Sequence, residues 1–175
     1  MLEDVAKIDW RSWEPTEEAV LCFLVADGKV LLIHKKTGLG AGKINGPGGR
    51  LEPGETPREA AVRELIEEVN VEPLNPAKHG ELSFIFTDGY SLHGTVFLAT
   101  EFRGVPKESI EADPFWCALD RIPYDRMWMD DPLWLPFLLK GSYTRGFFVF
   151  DDDVMLSKKV FIEETREVFT DRFYP

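Results

Sequence analysis

The sequence predicts one α/β domain, a mixed β-sheet with helices on both sides, and three observations carry that expectation. Two apolar runs flank an Asp27-Gly28 dipeptide, the pattern of a tight β-hairpin. A segment opening at Thr56 bears helix-start chemistry and keeps a helical apolar period to Val69. Further strand-length apolar runs alternate with one more helix signal, and such a set buries its apolar faces most economically in layers. At 175 residues the chain is about one domain's worth and long enough for a substantial core.

Taken in order, residues 1–16 read as a polar lead-in. EAVLCFLVA at 18–26 is a strand, and KVLLIHK at 29–35 is its hairpin partner. KTGLGAGKINGPGG at 36–49 is a glycine-rich loop, too full of turn residues for helix or strand. It lacks GxxxxGK[ST] and a GxGxxG in strand–turn–helix setting, which argues against a P-loop or dinucleotide fold. Thr56 as N-cap, Pro57 at the first helical position and Glu59 three residues on make a capping box for a helix over 57–69. Its apolar face is Ala61, Val62, Leu65, Ile66 and Val69.

Residues 71–80 read as a connection, followed by strands at 81–87 and 94–104. The second alternates poorly at its centre, as a strand buried on both faces does. A strand at 114–120 precedes Asp131-Pro132, a helix start, and Pro136 keeps that helix short or bent. A strand at 142–151 and a turn at 151–153 lead to 158–169, readable as strand or weak helix. The stretch from about 155 to 175 is expected to be a C-terminal extension of the single domain.

Composition narrows the function classes. An apolar content of 44% argues against disorder, and a net charge of −11 disfavours long nucleic acids and anionic membranes as partners. It leaves room for a small nucleotide whose phosphates are received through bound cations. Cys22 and Cys117 both adjoin apolar or aromatic residues, the expectation being buried thiols in a reducing, cytoplasmic compartment. The N-terminus lacks the apolar core of a signal peptide, and no run approaches the roughly 18–20 apolar residues that span a bilayer. No protein partner is indicated, and His34, His79 and His93 lack zinc-site spacing.

Three carboxylates, Glu64, Glu67 and Glu68, stand on one surface of the 57–69 helix at i, i+3 and i+4. They repel one another unless a cation gathers them, and Mg²⁺ prefers such hard oxygen ligands. Gly49, then Glu55 after five residues, then Arg63-Glu64-Leu65 and Glu67-Glu68 after seven more, resemble the box of the Nudix hydrolase family. One position departs, Asn70 in place of the usual glycine, and asparagine also adopts the left-handed conformation. The resemblance implies an α/β/α sandwich and hydrolysis of a diphosphate linkage with Mg²⁺ or Mn²⁺. It implies metal ligands at Gly49, Glu64, Glu67 and Glu68, with Glu111 a further candidate beyond the box. Arg63 would pair with Glu55 to orient the loop, and either Glu67 or Glu68 would act as base.

A second constellation lies outside the box. Asn45 precedes the glycines, and Asp130-Asp131 sit between Trp128 and Trp134. An amide and a carboxyl together donate to and accept from a purine edge, and aromatic walls stack on its faces. The same residues also read as a helix cap with Trp134 in the core. GLGAGKINGPGGRLEPGE, GVPKESIEADPFW and MWMDDPLWLPFLL are similar to the oxidised-purine nucleoside triphosphatase (MutT-homologue) branch of the Nudix family, over about 19–154. That likeness implies base recognition by Asn45, Asp130 and Asp131, bordered by Trp128, Trp134, Phe84 and Phe86. The implied products are a nucleoside monophosphate and pyrophosphate. The alternatives are another nucleoside diphosphate derivative (a dinucleoside polyphosphate, ADP-ribose or a capped RNA end) or a non-catalytic nucleotide-binding module. Leu39, Pro47 and Leu92 depart from the residues of that branch. Lys35, Lys36, Lys43 and Arg50 concentrate positive charge around the loop.

Overall fold

The computed structural model describes residues 4–164. Among these, eleven strands and two α-helices follow in chain order, with short 3-10 turns at Val5–Lys7 and Tyr124–Arg126: β1 (Glu17–Ala26), β2 (Lys29–Lys35), β3 (Ile44–Asn45), β4 (Gly48–Arg50), α1 (Pro57–Val69), β5 (Glu72–Leu74), β6 (Ala77–Phe86), β7 (Ser91–Ala99), β8 (Glu101–Arg103), β9 (Ala112–Ala118), α2 (Asp131–Leu138), β10 (Tyr143–Asp151) and β11 (Val154–Glu163). Nine strands make one sheet, with a main path β11-β10-β6-β7-β1-β2-β3, β4 beside β1 and β9 beside β2. The pairs β1–β7 and β6–β10 are parallel and the others antiparallel, so the sheet is mixed. β5 and β8 pair separately.

The alternation along β1 and β2 shows the layers. Phe23, Val30 and Leu32 point into one cluster with Trp134, Leu135 and Leu138 of α2. Val20, Cys22, Leu24, Leu31 and Ile33 point the other way, against Ala61, Leu65 and Val69 of α1. The expected sandwich is what forms. Asp27 and Gly28, at φ 52° and 71°, turn β1 into β2 as a two-residue hairpin requires. β7 is buried over most of its length, in keeping with its poor alternation.

Several boundaries differ from the sequence expectation. The loop expected over 36–49 contains β3 and the start of β4, which exist because β2 and β1 offer them backbone partners. The connection expected at 71–80 holds β5 and the first residues of β6, and 94–104 divides into β7 and β8. Residues 158–163 belong to β11, which is strand throughout and pairs with β10; their helical alternative fails, and 165–175 lie outside the described residues. The lead-in is not merely polar: Val5 and Trp10 are buried against Ile85, Phe147 and Val149. Trp10 also donates from its ring nitrogen to the Val5 carbonyl at 2.9 Å.

β1 divides its pairing on one flank. Residues 19–21 pair with β4, whereas Val25 and Ala26 pair with β2. Only Gly46 and Pro47 separate β3, on the β2 branch, from β4 on the other.

Candidate active site

The helix start reads as its sequence dictates. Thr56 accepts from the Glu59 N–H at 3.3 Å, and the Glu59 carboxylate accepts from the Thr56 N–H at 2.8 Å. Pro57 opens α1, and Asn70 closes it at φ 61°, ψ 34°. With both ends fixed, α1 turns Glu64 and Glu68 towards β4 and leaves Glu67 exposed beside them. The Gly49 backbone lies directly against Glu64; a Cβ there would be 2.2 Å from the Glu64 carboxyl carbon. Any larger residue there would displace the Glu64 carboxylate.

Arg63 is the hub of this end. Its Nε and Nη2 donate to the two oxygens of Glu55 at 2.7 and 2.8 Å, the expected fork. It also donates to Glu64 at 2.8 Å, to Glu67 at 3.2 Å and to the Arg50 carbonyl at 3.0 Å. Those donated bonds hold the Glu55 carboxyl down at about 2. Glu68 is buried and accepts from the Gly48 N–H at 3.0 Å. Burial pushes it up to about 7, against the Gly48 bond and the charge of Lys35, and the charges of Glu64 and Glu111 add to the rise. Half-burial likewise raises Glu64, opposed by Arg63 and reinforced by Glu67 and Glu111. Glu111 is exposed but close enough for its charge to be felt by both.

The donor set suits a hard divalent cation. Glu64, Glu67 and Glu68 supply carboxylate oxygens, and Glu64 and Glu68 are raised by burial in spite of Arg63 and Lys35, as crowded, desolvated acids are. Among the described residues no three acid, His or Cys side chains already converge as a cation cage. Arg63 Nη1 instead stands between Glu64 and Glu67 and donates to both. A shallow groove of about 620 Å³ runs along the outer side of α1 beside Glu55, Arg63 and Glu67.

The second constellation lies on the α2 side of the sheet. Asp130 and Asp131 are both buried. Asp130 accepts from the Trp134 ring N–H at 2.9 Å, and Asp131 accepts from the Trp128 N–H at 3.1 Å. Burial raises both carboxyls, and the Asp130 charge raises Asp131 further. Two buried atoms here have no hydrogen-bond partner among the described residues: Asp130 Oδ1 and the side-chain nitrogen of Asn45. Asn45 and Trp128 approach one point, since a Cβ on Gly40 would lie 3.2 Å from the Asn45 nitrogen and 2.8 Å from Trp128 Nε1. Phe86 and Phe150 meet Trp128 edge-on at centroid distances of 6.3 and 5.6 Å. Phe84 stacks on Phe148 at 5.2 Å.

Trp134, read from the sequence either as a border of the pocket or as part of the core, is wholly buried at 6.0 Å from Phe23. Its helix turns it inward, so it acts on Asp130 through its ring N–H. The cap reading of Asp130-Asp131 also fails in part, because Asp130 stands at the N-cap position without a side-chain capping bond.

Sequence reasoning missed Phe148 and Phe150, although the alternation in GFFVFD places them on one face of β10. It also missed Glu17, one oxygen of which accepts from Tyr90 Oη and pairs with Arg50 Nε, each at 2.7 Å. No local signal reveals that link, because its members come from three separate strands and turns.

A mixed sheet between helices, with an acid-bearing helix set against a glycine turn, defines a Nudix hydrolase scaffold. The NUDIX domain profile matches residues 15–138, and the chain belongs to the Nudix hydrolase family. It is 41% identical over 144 residues to the oxidized purine nucleoside triphosphate hydrolase of Danio rerio, covering 80% of this chain and 91% of that one. Identity to the protein of the same name from Mus musculus is 40%, over 78% of this chain and 89% of that one. Among solved structures, the mutator MutT protein from Bacillus halodurans superposes with a TM-score of 0.73. It is 29% identical, with 82% of this chain and 97% of that chain covered. No helix among the described residues is long and apolar enough to cross a membrane.

Proposed function

We propose that this protein hydrolyses purine nucleoside triphosphates, oxidised ones above all, to the nucleoside monophosphate and pyrophosphate. The observation that carries the purine is the pair of unpartnered buried atoms, Asn45 Nδ2 and Asp130 Oδ1, beside the Trp128–Phe86–Phe150 aromatic group. An unsatisfied buried polar atom costs about 1–3 kcal/mol, a cost that a base edge with matching groups removes. Burial keeps a proton on the Asp130–Asp131 pair to higher pH than on an exposed aspartate, so a carboxyl there donates as well as accepts. The names of the Danio rerio and Mus musculus relatives point to the same substrate class.

At the other end, Glu64, Glu67 and Glu68 would hold Mg²⁺ or Mn²⁺ with the Gly49 carbonyl, and Glu111 stands at the margin. Such a cation, when bound, neutralises phosphate charge and makes water more acidic. Arg63 locks the glycine turn to α1 through Glu55 and the Arg50 carbonyl, and so sets where the carboxylates stand. Water attacks a phosphorus inside the triphosphate, a P–O bond breaks, and pyrophosphate departs. The proton of that water passes to Glu67 or Glu68. A cytoplasmic, reducing setting fits Cys22 and Cys117, two separate buried thiols, the first pushed up to about 12 by burial.

The test is a substrate panel of oxidised and ordinary purine and pyrimidine triphosphates, together with dinucleoside polyphosphates, assayed with Mg²⁺ and with Mn²⁺. We expect pyrophosphate and a monophosphate as products, with oxidised purines turned over fastest. Asp130→Asn is expected to lower kcat/KM for the preferred purine about tenfold or more, while the Mg²⁺ concentration for half-maximal rate stays put. Uniform loss across all bases would remove the pocket assignment, and faster cleavage of a dinucleoside polyphosphate would replace the substrate.

A further inference from the structure

Lys43 occupies a position that neither the metal end nor the base edge explains. Its ammonium lies 5.2 Å from the Trp128 ring centroid and 3.3 Å from Asp153 Oδ2. Asp153 is in the turn between β10 and β11, 110 residues away in sequence. Next to this contact the Met155 N–H donates to Met129 Sδ at 3.3 Å. The glycine loop, the segment before α2 and the β10–β11 turn therefore meet at one side of Trp128. The loop is itself held: Lys35 N–H donates to the Lys43 carbonyl at 3.0 Å, and Gly42 N–H to the Lys35 carbonyl at 2.8 Å. Gly40, at φ 81°, brings loop backbone against Trp128 and Asn45 where no Cβ fits.

We propose that Lys43 and Asp153 form a latch that fixes Trp128 and the glycine loop around the base, making Lys43 a positioning residue for purine selectivity. The proposal rests on the purine-pocket reading above. The backbone N–H of Trp128 bonds Asp131, Phe86 and Phe150 meet its ring edge-on, and the Lys43 ammonium is the contact that joins the ring to the glycine loop. Loss of the ammonium uncouples the ring from that loop and loosens the segment that holds Asn45. A cation on an aromatic face and a half-exposed ion pair each contribute modestly, so the effect falls on base binding and leaves the chemistry alone.

A different role for Lys43 is simple attraction of the triphosphate, and Asp153 separates the two by sign. If Lys43 only attracts phosphate, Asp153→Asn removes a competing negative charge and lowers KM. If the latch operates, Asp153→Asn raises KM, because Lys43 loses its anchor. We expect KM for the preferred purine triphosphate to rise about three- to tenfold in Lys43→Ala and about two- to threefold in Asp153→Asn. kcat should stay within about twofold, and the KM preference for purine over pyrimidine should narrow. The double variant is expected to be no worse than Lys43→Ala, and Lys43→Arg to restore most of the loss. A lower or unchanged KM in Asp153→Asn, or a fall in kcat with KM unmoved, overturns the latch. A parent enzyme that does not distinguish purine from pyrimidine overturns the pocket reading instead, so the two failures are distinguishable.

Discussion

Asp131 is buried beside another buried acid and has one bond from a backbone N–H to support its charge. Its folded-state pKa therefore lies above the ordinary 3.8, raised first by burial and then by Asp130. The folded protein thus binds more protons than the unfolded chain. Its contribution to stability is complete below about pH 4 and is lost as pH rises through the folded value. Asp131→Asn removes that loss, since the amide oxygen still accepts from Trp128 N–H. In urea titrations without ligand, the variant should match the parent near pH 4 and be the more stable above neutrality, while its purine selectivity falls. A variant less stable than its parent at pH 8 would show that the parent carboxyl is not held against its charge. Asp130 and Asp131 stand out in the sequence as adjacent acids between Trp128 and Trp134, and Asn45 by its place before the glycines and the likeness to the Nudix family. A core position for Trp134 is one of two readings the sequence supports, but its packing on Phe23 is not legible, because that ring arrives from a distant strand.

Between its N-cap and C-cap, α1 was legible to the residue, since each signal acts within one turn of the chain. Asn70 carries the last of them: it sits at left-handed φ, and its amide donates to the Val105 carbonyl at 3.3 Å. Asn70→Ala is expected to cost about 1 kcal/mol, because a Cβ without a compensating polar group is strained there. Asn70→Gly should stay within about 0.5 kcal/mol of the parent. Chemical denaturation of the three proteins side by side checks the ranking, and an alanine variant as stable as the glycine one would contradict it. β3 and β4 follow the opposite logic. They are two and three residues long and made chiefly of residues that disfavour strands, and their partners β2 and β1 hold them in place. Their existence is a property of the sheet, and no window of local sequence contains it.

The family match ends at residue 138, yet β10 is buried along almost its whole length and sits between β6 and β11. Phe148 and Phe150 of β10 form part of the aromatic wall, and Phe147 and Val149 anchor the N-terminal segment on the opposite face. β11 covers what would otherwise be an open edge of backbone donors and acceptors. A chain ended after residue 152 is therefore expected to lose cooperative thermal unfolding or to aggregate. A soluble, cooperatively folding truncation with the parent Tm would show that β11 is dispensable. The mixed sheet is foreseeable from alternating strands and helices, whereas 158–169 reads as strand or weak helix because the β11 residues in it lie on an exposed edge and alternate weakly.

The divided pairing of β1 has a consequence for how the two sides respond to substitution. Asn45 hangs from the β2 branch and Gly49 from the β4 branch, with Gly46, Pro47 and Gly48 between them. A substitution at Asn45 therefore meets β2 first and β9 behind it, whereas one at Gly49 meets β1 and Glu64 of α1. Along the chain, two residues, Gly46 and Pro47, are thus all that couples a shift of one branch to the other.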